Sequence, residues 1–89
     1  MALFAVMFHD HDPEAVERLK AAYPAPDHLE LQPGVYLING DLLIEDVLKR
    51  LHIDSPEGKG ALVFRLNGTY GGKTYRSVWD WLARTEVLV

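Results

Sequence analysis

The chain opens with a continuous apolar run and then changes to apolar residues at helical spacing. Residues Leu3–Phe8 contain no polar side chain, which is typical of a central strand covered by other elements. Asp12 and Pro13 follow, and they suit the N-cap and the first position of a helix. Apolar residues then recur every three or four positions until Pro24 interrupts the pattern. We therefore expect a strand followed by an amphipathic helix.

The next segment predicts a hairpin. Residues 28–32 alternate between polar and apolar side chains, as a half-exposed strand does. Pro33 and Gly34 supply the fixed φ and the positive φ of a type II turn. Residues 35–38 are apolar again and predict the second strand of the hairpin.

The Asn39-Gly40 pair allows two interpretations. Between apolar residues, Asn-Gly is a strong signal for a type I′ hairpin turn. Asp41 also suits a helix cap, and the apolar residues that follow it recur at helical spacing: Leu43, Ile44, Val47, Leu48 and Leu51. This spacing favours a helix over 42–52, with the hairpin as the alternative.

The last third of the chain predicts one more strand and a short helix. Residues 61–66 are mostly apolar and form the strand, and a Gly-rich loop follows. Ser77 to Asp80 resembles a capping box with Asp at its last position. The helix it starts has an apolar face formed by Tyr75, Val78, Trp79 and Leu82. Trp81 falls off this face, and residues 86–89 are expected to form an extended apolar tail.

These elements follow the order βαββαβ, with a helix and a tail strand appended. Two strand–helix–strand units joined at a hairpin produce the α+β ferredoxin-like fold: a four-stranded antiparallel sheet with two helices on one face. We expect residues 1–89 to form a single domain of this kind. The other sheet face is then left bare, and a symmetric dimer is the simplest way to cover it.

Composition narrows the class of protein. The 89 residues include no cysteine, which excludes disulfides and thiolate sites, and the formal net charge is −4. That charge argues against a broad nucleic-acid-binding surface. Residues 1–46 carry nine acidic and two basic side chains, whereas residues 47–89 carry four and seven, so a local basic site is compatible with the second half. The apolar N-terminus is too short for a signal peptide or a membrane span. We expect a soluble, cytoplasmic protein.

Four consecutive polar residues at the end of the first strand are metal-ligand candidates. They are His9, Asp10, His11 and Asp12. On a strand, alternate side chains point to the same side, so only two of the four would converge at a time. A helix cap and solvated polar residues account for the same pattern. No cofactor is otherwise implied.

Two further groups of residues are candidates for binding. Arg65, Lys73 and Arg76 lie among aromatic residues, which is how a phosphate or a single-stranded nucleic acid is held; solvated loop residues are the alternative. Trp81, if exposed, is a candidate anchor for a protein interface. The apolar tail residues Val87, Leu88 and Val89 are candidates for the same interface.

Several segments together carry a family resemblance. The first strand ends in an Asp, the strand Tyr36-Leu37-Ile38 precedes a small polar turn and a helix over 44–51, and the strand Ala61–Leu66 is followed by a Trp-containing tail. In this order the chain resembles the small CRISPR adaptation accessory proteins and their SinR-like and VapD-like relatives. The likeness covers roughly residues 2–84 and is one of order and hydrophobic shape.

The resemblance implies a ferredoxin-like homodimer in a mobile-element or host-defence context. In such a dimer the terminal strand, here residues 86–89, pairs with the sheet of the other subunit. For those members that cut nucleic acid, it implies that Asp10 binds the divalent metal.

Three functional hypotheses follow. The first is a non-catalytic, homodimeric protein-interaction domain. The second is a nuclease that uses Mg²⁺ or Mn²⁺ held by Asp10 of both subunits, where the metal would activate water and stabilise the phosphorane. The third is an acidic inhibitor that occupies a nucleic-acid-binding site on another protein. The sequence alone favours the first of them.

Overall fold

A computed structural model describes residues 2–40, 43–53, 59–66 and 71–86. The strands are β1 (Leu3–Phe8), β2 (His28–Gln32), β3 (Val35–Asn39) and β4 (Ala61–Leu66). The helices are α1 (Pro13–Ala22), α2 (Ile44–Arg50) and α3 (Arg76–Glu86). Along the chain they follow the order β1 α1 β2 β3 α2 β4 α3. The chain thus has an α+β fold.

The four strands form one antiparallel sheet in the order β2-β3-β1-β4. β1 lies inside the sheet and pairs with β3 on one edge and with β4 on the other. Val6 lies opposite Tyr36 of β3 and opposite Val63 of β4. The four-stranded antiparallel sheet predicted from the sequence is confirmed.

One face of the sheet is covered by α1 and α2. Phe4 and Val6 of β1 are fully buried there, and they belong to one cluster with Leu19 of α1 and with Val47 and Leu51 of the α2 region. Because side chains alternate along a strand, the even-numbered residues of β1 supply this core. The prediction that two helices share one face is confirmed.

The opposite face is covered in part by α3, which corrects the expectation of a bare face. Leu3 and Leu37 pack there against Val78, Trp81 and Leu82 of α3. The helix is 11 residues long, enough for three turns of apolar surface. Its contacts reach β2, so it lies over the β2 side of the sheet, and Leu62 and Phe64 of β4 remain about half exposed on this face.

The cap and the proline that the sequence predicts at the start of α1 are both found there. The Asp12 Oδ1 accepts a hydrogen bond from the Ala15 N–H at 3.2 Å, and Pro13 begins the helix. Arg18 Nε donates to the Leu51 carbonyl at 3.1 Å, which places a cation on the negative end of α2. This contact holds α1 and α2 side by side on the sheet.

The β2–β3 hairpin turns at Pro33 and Gly34, as the sequence predicts. Gly34 has a φ of +87°, as the third residue of a type II turn requires. The turn is held against β1 because the Phe8 N–H donates to the Gly34 carbonyl at 2.8 Å. A register shift between Glu30 and Gln32 was not apparent in the sequence.

The Asn39-Gly40 ambiguity is decided in favour of a helix. α2 spans Ile44–Arg50, shorter than the predicted 42–52, and the proposed cap Asp41 lies outside the described residues. Leu43 was expected on the buried face but is 55% exposed, because it precedes the first turn. Gly40 directly follows the last residue of β3, and its N–H donates to the Ala2 carbonyl at 3.2 Å.

The prediction of an extended tail over residues 86–89 needs one change. Glu86 belongs to α3, so the predicted extended tail does not begin at residue 86. The rest of that tail, residues 87–89, lies outside the described residues. None of the described helices has the length and apolar character required to cross a membrane.

One buried hydroxyl connects β3 to the edge of the sheet. The Tyr36 hydroxyl donates to Glu30 Oε2 at 2.7 Å, and the ring packs edge-on against Phe8 with centroids 6.0 Å apart. Burial, followed by the hydrogen bond to Glu30 and the negative charge of that carboxylate, raises the pKa of Tyr36 to about 12.

We expect Gly40→Ala to destabilise the fold. A Cβ at this position would lie 2.9 Å from Tyr23 Cε1, and Tyr23 is only 3% exposed, so its ring has little room to move. The expected loss in the free energy of unfolding is about 1–3 kcal/mol, measured by urea denaturation. Gly71→Ala is the matched control, because its Cβ would meet nothing within 4 Å; equal effects of the two changes would contradict this explanation.

Tyr36 should make stability depend on pH in alkali. Its pKa is near 10 in the unfolded chain and about 12 in the folded protein. The contribution of Tyr36 to stability is therefore complete below pH 10 and is lost as the pH rises towards 12. Titration of tyrosinate absorbance should show a late-titrating tyrosine that is lost in Tyr36→Phe and that titrates earlier in Glu30→Gln. An unchanged titration in Tyr36→Phe would show that another group is responsible.

Candidate interaction surface

Asp10 and its neighbours lie in a polar bend directly after β1. His9, Asp10 and His11 are all exposed. The backbone there is held in place, since the His9 N–H donates to the Gly60 carbonyl at 3.2 Å and Lys59 Nζ donates to the His11 carbonyl at 2.9 Å. Asp12 caps α1, which is the structural role considered for it above.

The described residues contain no group of three or more His, Asp or Glu side chains that could hold a metal ion. Within those parts of the chain, Asp10 is therefore not a member of a set of three or more such ligands. The assignment of Asp10 as a metal ligand stays a prediction that needs a second subunit.

The three basic candidates are not brought together on one face. Arg65 lies opposite Phe4 in the β1–β4 register, and directly opposed residues project to the same face, so Arg65 is on the side of α1 and α2. Lys73 lies on the other side of the sheet, among residues near α3. Arg76 is the exposed first residue of α3. Tyr70, one of the aromatic residues that lie near them in sequence, is outside the described residues.

Trp81 is a core residue, which corrects its prediction as an exposed interface anchor. It is only 4% exposed, and its Nε1 donates to the Pro26 carbonyl at 2.8 Å. The reason is that Tyr75 precedes α3 and is exposed. The inward stripe therefore begins at Val78 and continues three and four residues later, at Trp81 and Leu82. The other interface candidates, Val87, Leu88 and Val89, lie outside the described residues.

Two large apolar side chains stand out on β4. Leu62 is 49% exposed and Phe64 is 48% exposed, and both project to the face that α3 covers only in part. Ala61 and Val63 alternate with them and pack against the core on the α1 and α2 side. We call Leu62 and Phe64 the β4 patch.

The β4 patch continues into an apolar groove beside α3. The groove has a volume of about 220 Å³. Its apolar lining comes from three strands and α3, with segment 71–74 at its rim: Leu31, Leu37, Leu66, Val78, Trp79 and Leu82. Leu66 follows Phe64 on the same face of β4, so the groove and the patch form one apolar surface.

The two edges of the sheet differ in how they are protected. β2 carries the polar residues Glu30 and Gln32, has an irregular register between them, and is contacted by α3. Such features discourage pairing with another strand. In β4 the run Ala61–Leu66 is regular, contains neither Pro nor Gly, and has one charged residue, Arg65. Within the described sheet no strand pairs with the outer edge of β4.

Sequence reasoning located this surface only partly. It predicted that apolar residues of β1 and β4 on one face lack a cover, but it did not distinguish the two edges. Alternation along residues 61–66 marks Leu62 and Phe64 as lying on the face opposite to Val63. What the sequence did not reveal is that α3 covers β2 and leaves these two residues exposed.

No protein-family model matches this chain, and no curated protein sequence is significantly similar to it.

We expect Trp81→Ala to cost more stability than Trp79→Ala. The first change removes a buried indole and its hydrogen bond to Pro26, and truncations of this kind cost about 3–5 kcal/mol. Trp79 is only half-buried beside the groove, so its truncation should cost less than half as much. Urea denaturation followed by circular dichroism measures both. The reverse order would mean that Trp79, and not Trp81, anchors α3 to the sheet.

Proposed function

We propose that this protein is a non-catalytic interaction domain that acts as a homodimer. The observation that carries the proposal is the β4 patch: two large apolar side chains, each about half exposed, on a strand whose outer edge pairs with no other strand of the described sheet. Contiguous apolar surface of this kind marks sites of protein association. The groove beside α3 enlarges that surface.

The proposal includes a ferredoxin-like fold for residues 1–89. Its support is the element order βαββαβ before α3, the strand order β2-β3-β1-β4, and the packing of α1 and α2 on a single face. These features agree with two split βαβ units that interleave in one sheet. Membership of the CRISPR adaptation accessory proteins and a cytoplasmic location are further parts of the proposal, and they rest on the order of the segments and on composition.

The nuclease and inhibitor hypotheses have less support. Asp10 is exposed and is not part of a metal-binding group within the described residues. The acidic inhibitor rests on charge alone, since no observation links the acidic side chains to a binding surface. Neither of these two hypotheses explains why apolar residues remain exposed on β4, whereas an interaction domain does.

We expect the protein to form a dimer that depends on the β4 patch. Light scattering should give about twice the chain mass of 10.1 kDa, and the double substitution Leu62→Ser/Phe64→Ser should raise the dissociation constant by at least about tenfold. The reason is that burying each of these side chains contributes up to about 1.5–3 kcal/mol, and the dimer buries two from each subunit.

Leu43→Ser is the matched control, because Leu43 is equally exposed but lies ahead of α2; it should leave the dimer unchanged. A monomer at all concentrations would refute the homodimer. Mg²⁺-dependent cleavage of RNA or DNA that is lost in Asp10→Ala would replace the interaction domain with the nuclease.

A further inference from the structure

We infer that two copies of this chain join edge to edge through β4, in an antiparallel pairing centred on Val63. The inference rests on the proposed function and specifies the surface and register of its dimer. The product would be a continuous eight-stranded sheet across a two-fold axis.

The first argument is the asymmetry of the two edges. β2 has an irregular register and is contacted by α3, whereas the backbone of β4 is regular from Ala61 to Leu66 and none of the described strands pairs with its outer edge. An unprotected edge strand presents free N–H and C=O groups in the spacing that another strand needs. A second copy supplies a strand of the same length with the same edge. Across a two-fold axis, the backbone N–H and C=O groups of each β4 strand can then bond to those of the other.

The second argument is that β4 is complementary to itself in one register. Directly opposed residues of an antiparallel pair project to the same face. Centring on Val63 therefore places Leu62 opposite the partner's Phe64, and Phe64 opposite the partner's Leu62. All four exposed apolar side chains then cover one another on the face that α3 leaves open. Arg65 lies opposite the partner's Ala61, so no like charges are directly opposed.

The neighbouring registers are less favourable. Centring on Leu62 would place Phe64 opposite the partner's Gly60, which has no side chain to cover it. Centring on Phe64 would bring the two Arg65 residues two positions apart, roughly 8 Å between Cα atoms, instead of roughly 14 Å in the register centred on Val63. Repulsion between like charges opposes the shorter separation.

The size of this interface sets its expected strength. One strand pair and four apolar side chains bury less than the roughly 1,200–2,000 Å² of a stable protein interface. The dimer should therefore dissociate on dilution, with a dissociation constant in the micromolar range, and it should be studied at protein concentrations above that range.

Single cysteines test the register directly, because the chain contains no cysteine. Val63→Cys should form a disulfide-linked dimer under mild oxidation, since residue 63 would face itself across the axis. Ala61→Cys and Arg65→Cys should not cross-link alone, because each would lie roughly 14 Å from its own copy, beyond the ~7 Å Cα separation that a disulfide allows. An equimolar mixture of these two variants should cross-link, since residues 61 and 65 would be directly opposed.

Light scattering on the wild-type protein separates the inference from the proposed function. A dimer in which neither Val63→Cys nor the mixture cross-links would overturn the β4 pairing and leave the homodimer intact. A dimer that cross-links through Gln32→Cys on the β2 edge would also overturn it. A monomer would refute both proposals. If Val63→Cys fails to fold, as judged by circular dichroism, the mixture of Ala61→Cys and Arg65→Cys decides the register by itself.

Discussion

β1 exchanges hydrogen bonds with β3 on one edge and with β4 on the other; α1 and α2 cover one of its faces, and α3 covers the other in part. Because side chains project to these two faces and pack against helices there, the residues of β1 are apolar. Phe4 and Val6 face α1 and α2, whereas Leu3 faces α3. The positions of all three helices are thus defined by the two faces of a single strand.

The two faces are covered unequally, and the exposed surface follows from this. α1 and α2 together span the sheet on one face, because α1 follows β1 and α2 packs on β4. Of the described helices, only α3 packs on the other face. A helix is only about 10 Å wide, whereas four strands span roughly 15–20 Å. With Trp81 bound to Pro26 beside β2, α3 lies on that side. The residues of β4 that it does not reach form the apolar surface.

Some parts of the site followed from local sequence and others did not. Asp12 and Pro13 start α1, and Pro33 and Gly34 turn the hairpin, because these effects depend on the backbone preferences of a few consecutive residues. Arg65 and Lys73 lie on opposite sides of the sheet, which their closeness in sequence did not reveal, because residues that are near in sequence need not share a face. Trp81 was considered as a surface residue because the apolar residues of α3 allow two buried faces, one with Trp79 and one with Trp81.

The sequence by itself determined the elements, their order and the alternation of side chains that gives each strand two faces. These properties are set by periodicity, by caps and by turn residues, all of which act over a few positions. Tertiary structure alone decided that α2 begins only after Leu43, that Trp81 is buried, and that α3 contacts β2 and leaves Leu62 and Phe64 of β4 exposed. Such outcomes depend on contacts between residues far apart in the chain, such as Trp81 with Pro26, and no local pattern encodes which of several apolar surfaces a helix will cover.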